Sequence, residues 1–321
     1  MKILVSKEKI INVIKTIIIT FVLVSSSFTF GIEKSDAYPV YAQQAYANPR
    51  EANGRIACAN CHLAQKPVGI EAPSGVLPDS VFEAVIKVPY DKSSKQVLSN
   101  GQLGGLNVGA VVVLPEGFKL APANRLNAEL KEKTKGVFIS PYSSTQDNIL
   151  VVGPILGDTH QEIVFPILSP DPATNKSIHF IKYPIYVGAN RGRGQIYPTG
   201  EKSNNSTVLA NASGQITELS KSDKGETFLT IVDTNGKEVK QTIPKGLVTI
   251  VSEKDIIKSD QVLTKDPNVG GFGQTDTEIV LQSPARIYGF MAFTLAALLT
   301  QILLVIKKKQ FEKVQAAELN F

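Results

Sequence analysis

Two cysteines and one histidine stand at a spacing that suits a haem group. Cys58 and Cys61 are three positions apart, and His62 follows the second cysteine directly. In this Cys-x-x-Cys-His pattern two thiols can bond the two vinyl groups of one porphyrin, and the adjacent imidazole can bind its iron. The motif therefore predicts one covalently attached haem c, held by both cysteines and ligated by the histidine.

Two other kinds of cysteine site fit the sequence less well. A thioredoxin-like redox pair needs a β-α-β context, and no such alternation surrounds this motif. A zinc site would need a further ligand, and the chain has no second cysteine pair, because its two cysteines are both in the motif.

The first 37 residues have the order of a cleavable export signal. Lysines lie at the start, an apolar stretch covers residues 16–32, and Ser35 and Ala37 provide small residues at the minus-three and minus-one positions. Cleavage after Ala37 would make Tyr38 the first residue of the mature chain. An uncleaved membrane anchor is the alternative interpretation.

A second apolar stretch lies near the C-terminus. Residues 287–306 are 20 consecutive uncharged residues, which span ~30 Å as a helix, the thickness of a bilayer core. Lys307, Lys308 and Lys309 follow directly. Basic residues beside a membrane span stay on the side from which the chain is inserted into the membrane. We therefore expect the tail 307–321 on that side and the large segment 38–283 on the opposite side. A buried core helix is the alternative.

The net charge of +5 does not indicate a nucleic-acid partner. Residues 38–285 contain 24 of the 34 basic and 24 of the 29 acidic side chains, so the segment between the two apolar stretches is neutral. The positive excess lies in the signal and the tail, next to the expected lipid bilayer.

Between these stretches the sequence is mainly that of β-strands. Short β-branched runs bounded by Pro, Gly, Asn or Asp predict an all-β sandwich or barrel, with strands over 81–88, 110–114, 136–140, 149–155, 162–168 and 178–187. Two helices are predicted, one beginning at Asn48-Pro49 and leading into the motif, the other over 122–135. Arg191 and Arg193, among glycines, are expected in a solvated turn.

A change of composition near residue 205 divides the exported segment. Residues 38–205 form the predicted large domain and residues 206–268 a small β domain, in which Asn235-Gly236 predicts a hairpin between strands 228–232 and 238–243. Residues 269–285 are expected to return to the large domain through a last strand over 278–281.

The second axial ligand of the iron is not given by the motif. Methionine is common in soluble electron carriers, but Met1 precedes the predicted cleavage site and Met291 lies in the apolar stretch. His160 and His179 remain as side-chain candidates. An iron with a free sixth coordination position would instead indicate a haem enzyme or a ligand sensor. If the cysteine pair were incidental, the chain would be a non-haem adhesion module.

Four segments of the chain resemble the cytochrome f family. They are 38–46, 49–56 with the following haem motif, 192–198 and 270–274. The resemblance runs from Tyr38 to the C-terminus, and Tyr41 stands where the family varies its aromatic residues. It implies an elongated β sandwich carrying the haem, a smaller β domain inserted near its C-terminal end, and one C-terminal transmembrane helix.

The resemblance also implies the second axial ligand, which in that family is the α-amino group of the mature N-terminus. In this sequence it would be the nitrogen of Tyr38. Pro39 would restrict the backbone beside that ligand, and Tyr41, with Tyr38, would shield the haem face. The resemblance further implies a buried water chain near the haem, lined by Gln96, Asn190, Gln195 and Asn205.

The function implied by the resemblance is electron transfer rather than catalysis. Such a subunit of the cytochrome b6f complex, beside cytochrome b6 and subunit IV, takes single electrons from the Rieske iron–sulfur protein. It passes them to plastocyanin or a soluble c-type cytochrome and so links photosystem II to photosystem I. The implied location is the thylakoid membrane of a plastid or a cyanobacterium, with the large domain in the lumen and the C-terminus in the stroma.

Overall fold

Two facing β-sheets enclose the main apolar core in this computed structural model, which describes residues 39–319. The first sheet has four strands in the order β1 (Gly69–Glu71), β3 (Val81–Lys87), β10 (Glu162–Leu168) and β7 (Lys119–Leu120). The second has six, in the order β2 (Gly75–Val76), β16 (Gly271–Leu281), β11 (Lys182–Arg191), β6 (Asn107–Val113), β9 (Gln146–Leu156) and β8 (Ile139–Ser143). The predicted fold class, mainly β with one C-terminal apolar helix, is confirmed.

Alternating side chains explain how the two sheets pack. In β3, Phe82, Ala84 and Ile86 are buried while the residues between them are partly exposed. Successive side chains of a strand point to opposite faces, so these three share one face. They pack in a single cluster with Val112 of β6 and Val187 of β11, which makes the pair of sheets a sandwich.

The six-stranded sheet is buried on both of its faces at β6 and β9. All five residues of 108–112 in β6 are buried. Val112 belongs to the core between the sheets, whereas Val111 belongs to a second apolar cluster on the opposite face. A continuous apolar run is expected where both faces of a strand are covered. The second face supports the segment that carries the cysteine motif.

The part of the chain between residues 206 and 268 contains a separate small sheet. Its strands lie in the order β14 (Glu238–Ile243), β13 (Thr227–Val232), β12 (Gly214–Lys221) and β15 (Ile256–Ile257). The sheet has its own core, in which Ile216, Leu229 and Ile231 are fully buried. The predicted hairpin is present as β13 and β14, and Gly236 has the positive φ of +76° that such a turn requires.

The last strand of the sandwich is longer than the sequence predicted. The sequence predicts this strand over 278–281, but β16 begins at Gly271. The glycines are needed because the chain passes very close to a neighbouring backbone. A Cβ atom at Gly271 would collide with the carbonyl of Ala64, and one at Gly273 would collide with the carbonyl of Lys66.

Two strands begin later than the sequence predicted. The strand expected over 136–140 is β8, which begins at Ile139 because Gly136 still belongs to a turn with a φ of +78°. The strand expected over 178–187 is β11, displaced by four residues at each end. Its predicted start is a bend in which the Tyr183 hydroxyl donates to the carbonyl of His179 (2.9 Å). A two-stranded sheet, β4 (Gln96–Val97) and β5 (Leu103–Gly104), completes the described strands.

The described residues contain three α-helices, and two of them are one or two turns long. Helix α1 is Val40–Ala45, and α2 is Ala128–Lys133. The helix predicted over 122–135 is therefore α-helical only in its second half, as α2, and a separate 3-10 turn lies at Ala123–Arg125. The α2 helix begins where the Asn127 side chain accepts a hydrogen bond from the backbone N–H of Leu130 (2.8 Å).

The third helix, α3 (Pro284–Glu318), is the only described helix that is long and apolar enough to cross a membrane. Its apolar side chains are exposed along its length. At ~1.5 Å per residue its 35 residues span about 52 Å, more than a bilayer core, so the helix continues into the basic tail.

The sandwich core makes a testable contribution to stability. Phe165 is completely buried, so replacing it with alanine removes the ring and leaves a cavity. We expect Phe165→Ala to lower the free energy of unfolding by about 3–5 kcal/mol, measured by chemical denaturation in detergent. Phe138, which is 82% exposed, is the matched control, and its alanine variant should change stability by less than about 0.5 kcal/mol. Equal losses in both variants would contradict this assignment of the core.

Candidate haem site

The cysteine motif lies on the outer face of the six-stranded sheet in a 3-10 helix, Ala57–Asn60. Cys58 packs in the apolar cluster there, together with the side chains of Ile56, Val111 and Val151. The Cys58 carbonyl accepts hydrogen bonds from the backbone N–H groups of Cys61 (3.2 Å) and His62 (3.0 Å). This tight turn holds the two thiols and the imidazole within one short, well-supported segment.

The helix predicted to begin at Asn48-Pro49 is absent. The chain instead folds back at Gly54, whose φ of +88° ends any helix, and Arg50 pairs with Ile56 in an antiparallel bridge. Asn48 and Pro49 are typical of a helix start, but no helix follows, because the chain reverses direction at Gly54.

Gln274 supports the segment before the motif. Its side-chain oxygen accepts a hydrogen bond from the backbone N–H of Ile56 (3.0 Å), and its nitrogen donates to the carbonyl of Gly54 (3.0 Å). Glutamine has one acceptor and one donor group, so it can satisfy both backbone groups at once. This residue was missed by sequence reasoning, because its partner Ile56 lies 218 positions away.

Gln195 supports the segment after the motif in the same manner. Its backbone N–H donates to the carbonyl of Cys61 (2.8 Å), and its side-chain oxygen accepts from the backbone N–H of Leu63 (2.9 Å). Gly194 allows this approach, since a Cβ atom there would lie 3.4 Å from the Cβ of Cys61. The two ends of the motif are thus fixed by glutamines from two different parts of the chain.

Burial sets the protonation of the three motif side chains. It lowers the pKa of the His62 imidazole to about 4, so the ring is neutral at physiological pH and able to bind a metal. The Nδ1 atom of His62 is buried and has no hydrogen-bond partner among the described residues. Burial also raises the pKa of the Cys58 thiol to about 12 and raises that of Cys61, and neither cysteine forms a disulfide.

The N-terminal helix α1 lies against the same face of the sheet. Ala42 joins the apolar cluster that contains Cys58. The hydroxyl of Tyr142 is within hydrogen-bond distance of the carbonyls of Ala42 (2.7 Å) and Tyr46 (2.6 Å). Gln43 completes the attachment by donating from its side chain to the carbonyl of Tyr142 (2.7 Å). Tyr142 thus anchors the helix and was not identified from the sequence.

The residues expected to lie beside the haem are only partly described. Pro39 directly precedes α1 as its N-cap, and its carbonyl accepts the backbone N–H of Gln43 (3.0 Å). Tyr41 is partly exposed and makes an edge-to-face contact with Tyr197, with ring centroids 6.3 Å apart. Tyr38, the expected axial ligand, lies outside the described residues, as does the predicted signal segment.

Three of the four amides assigned to a water chain contact the backbone of Arg193. Gln96 accepts from its N–H (2.8 Å), and the side-chain nitrogens of Gln195 (3.0 Å) and Asn205 (2.9 Å) donate to its carbonyl. These three side chains are buried, and the fourth, Asn190, is half-buried. The Asn205 side-chain oxygen is buried and has no partner in the described part of the chain.

The expectation that Arg191 and Arg193 form a solvated turn is wrong. Arg191 ends β11 and is completely buried. Arg193 is half-buried and donates to the carbonyl of Val97 (2.8 Å) and the side chain of Asn204 (2.6 Å). The neighbouring glycines are typical of a surface turn. Here Gly192 allows the chain to pass close to residue 270, and Gly194 allows it to pass close to residue 61.

The two histidines considered as axial ligands lie elsewhere. The Nδ1 atom of His160 is hydrogen-bonded in the turn after β9, to the hydroxyl of Thr159 (2.8 Å) and the carbonyl of Leu156 (2.9 Å). His179 is exposed before β11. Neither belongs to the apolar cluster that holds the motif.

Comparisons with known proteins cover most of the chain and agree with one another. The N-terminal family model of apocytochrome f matches residues 38–192, and the C-terminal model matches residues 204–321. Cytochrome f of Porphyra purpurea is 65% identical over 287 residues, which cover 89% of this chain and 90% of that protein. Cytochrome f of Emiliania huxleyi is 60% identical over 304 residues, covering 94% and 97%. With two family models and near full-length relatives in agreement, the chain belongs to the cytochrome f family.

Proposed function

We propose that this chain is a membrane-anchored c-type cytochrome that transfers single electrons from the Rieske iron–sulfur protein to plastocyanin or a soluble c-type cytochrome. Membership of the cytochrome f family implies a c-type haem, electron transport in photosynthesis and the setting of the cytochrome b6f complex. The observation that best supports this proposal is the Cys58–His62 turn, which is held by hydrogen bonds at both ends against the apolar outer face of the six-stranded sheet.

The motif residues fit a covalently held haem. Cys58 and Cys61 are free thiols in one turn, and the His62 imidazole is neutral, with an Nδ1 that has no hydrogen-bond partner among residues 39–319. A ligating histidine needs a neutral ring, so this imidazole could bind the iron. When bound, haem c supplies a one-electron couple between ferric and ferrous iron. The role of the chain is to hold that group rigidly at the sheet surface.

The second axial ligand in this proposal is the α-amino group of Tyr38. Helix α1 supports it, because Ala42 packs in the cluster with Cys58 and the helix is fixed by Tyr142. Pro39, the residue before α1, restricts the backbone next to the amine. An α-amine titrates near pH ~7.7–8.0, so the chain must present it unprotonated to bind iron. Signal cleavage after Ala37 creates this ligand.

Filled axial positions favour electron transfer over catalysis, because no iron site is left for a substrate. Around the motif, partly exposed apolar side chains offer a surface for a redox partner: Val40, Tyr41, Leu63 and Tyr197. The amides of Gln96, Asn190, Gln195 and Asn205 are proposed to hold ordered water molecules, since the Asn205 side-chain oxygen has no hydrogen-bond partner among the described residues.

The membrane arrangement follows from the charge distribution. Residues 287–306 of α3 would cross the thylakoid membrane, and Lys307–Lys309 would keep the tail in the stroma. The sandwich and the small β domain would then lie in the lumen. Within the complex the chain would lie beside cytochrome b6 and subunit IV.

The ligand assignment predicts that the length of the mature N-terminus controls the spectrum. A variant that retains one extra alanine before Tyr38 after cleavage should lose the native low-spin spectrum and bind carbon monoxide, because its amine is displaced. N-terminal sequencing verifies the start of each protein, and the wild type should begin at Tyr38. A native spectrum in the extended variant would exclude the amine as ligand.

The anchoring of α1 predicts a weaker second ligand when its support is removed. Tyr142→Phe deletes the hydroxyl that bonds the carbonyls of Ala42 and Tyr46, so exchange of the α1 amides should become at least about fivefold faster, equivalent to ~1 kcal/mol. Carbon monoxide binding should rise in parallel.

Tyr183→Phe is the matched control, since its hydroxyl bonds the carbonyl of His179 away from α1. It should leave α1 exchange and carbon monoxide binding unchanged. If Tyr142→Phe behaves like this control, the proposed anchor is incorrect.

The topology predicts protease sensitivity on opposite sides of the membrane. In sealed, right-side-out thylakoids, protease added outside should remove the basic tail after Lys307 and leave the sandwich intact. Opening the vesicles should then expose the rest of the chain. Cleavage within residues 38–283 in sealed vesicles would reverse the proposed orientation.

A further inference from the structure

Arg191 is a charged residue in the interior of the sandwich. It ends β11, in which Ile185, Val187 and Ala189 belong to the core between the two sheets. Side chains two residues apart share a face of a strand, so the Arg191 side chain enters the same interlayer space at its end. Its residue exposure is 0%.

The guanidinium of Arg191 is incompletely paired. Its Nη2 donates to the carbonyl of Pro67, while its Nε and Nη1 are buried and have no hydrogen-bond partner in the described part of the chain. No ion pair among residues 39–319 includes Arg191. Burial lowers its pKa to about 10, which still leaves it charged at neutral pH. Unpaired buried donors on a cation are costly, so internal water molecules are the partners that the chemistry requires.

Arg191 is connected to the segment that follows His62. The backbone N–H of Phe272 donates to the carbonyl of Ala64 (2.8 Å), and that of Lys66 donates to the carbonyl of Phe272 (2.8 Å). Arg191 is paired with Gly271 in the neighbouring strand and donates to the carbonyl of Pro67. A buried cation is therefore hydrogen-bonded to the chain that leads away from the axial histidine.

We propose that Arg191, solvated by internal water, is a positioning residue whose fixed positive charge favours the reduced state of the haem site and so raises its reduction potential. This inference rests on the proposed function. The oxidised site carries one more positive charge than the reduced site, so a nearby cation destabilises the oxidised state. Solvent and salt screen that interaction less when the cation is buried.

The test is a potentiometric titration of the full-length protein in detergent, followed by absorbance. Arg191→Gln should lower the potential enough to change the ratio of reduced to oxidised protein at least threefold at fixed ambient potential. At 59 mV per tenfold change this is about 28 mV. Arg191→Lys retains the charge and should stay within half of that shift.

Two further variants separate charge from structure. Arg191→Met also removes the charge but needs no hydrogen-bond partners, so it tolerates the apolar surroundings and should reproduce the shift of Arg191→Gln even if the latter folds poorly. Arg125→Gln is the control, because Arg125 is exposed and pairs with Asp79 at 3.1 Å, and it should keep the wild-type potential.

The outcomes distinguish the two proposals. A wild-type protein that shows no one-electron haem titration overturns the proposed function itself. A normal wild-type titration combined with unchanged potentials in folded Arg191→Gln or Arg191→Met protein overturns only the role of Arg191. Equal shifts in the neutral variants and in Arg191→Lys would also overturn it, because the effect would then follow packing rather than charge.

Discussion

The candidate site depends on strands β6 and β9, where the six-stranded sheet is buried on both faces. Within β6, Val112 packs into the sandwich and Val111 packs under the segment that carries the cysteine motif, so neighbouring residues belong to different cores. A sheet held between two apolar layers is restrained in register, because a shift of one residue would exchange the two faces. This restraint gives a short 3-10 turn a fixed position, which its own few hydrogen bonds could not provide.

Two glutamines transfer that restraint to the motif. Gln274 on β16 bonds the chain before Cys58, and Gln195 bonds it after Cys61. Each satisfies backbone groups that would otherwise be left unpaired near an apolar cluster, at a cost of about 1–3 kcal/mol per group. A rigid surrounding suits electron transfer, in which the bonding around the iron changes little. In the proposed site, the amine of Tyr38 is the only iron ligand that does not exist until the signal is cleaved. Export of the chain and assembly of the haem site are therefore linked.

Residue types and their periodicity predicted much of this structure. Contacts between residues far apart in the sequence could not be predicted in this way. The Asn235-Gly236 hairpin and the strand at Glu162–Leu168 depend on local spacing, and both predictions are confirmed. The haem site at Cys58–His62 also depends on local spacing, and it stays a prediction. The helix expected at Pro49 failed because Gly54 reverses the chain, which local capping signals do not reveal.

The same limitation explains the errors at glycines and arginines. Gly271 and Gly273 resemble a loop in the sequence, yet they allow β16 to pass beneath residues 64–66. Arg191 looks like a surface residue because it is charged, but its position at the end of β11 places it in the core. Tyr142 and Gln274 gave no signal at all, since their importance lies entirely in partners far away in the chain.

In the proposed site, processing of the N-terminus supplies the second axial ligand, and electron–nuclear double resonance can identify that ligand. Oxidised full-length protein grown with 15N-tyrosine would carry the label at the α-nitrogen of Tyr38 and in the peptide nitrogens of the other tyrosines. We expect a strongly coupled 15N nucleus, because the labelled nitrogen is bound directly to iron. A spectrum in which every strongly coupled nitrogen remains 14N would show that the ligand is not Tyr38.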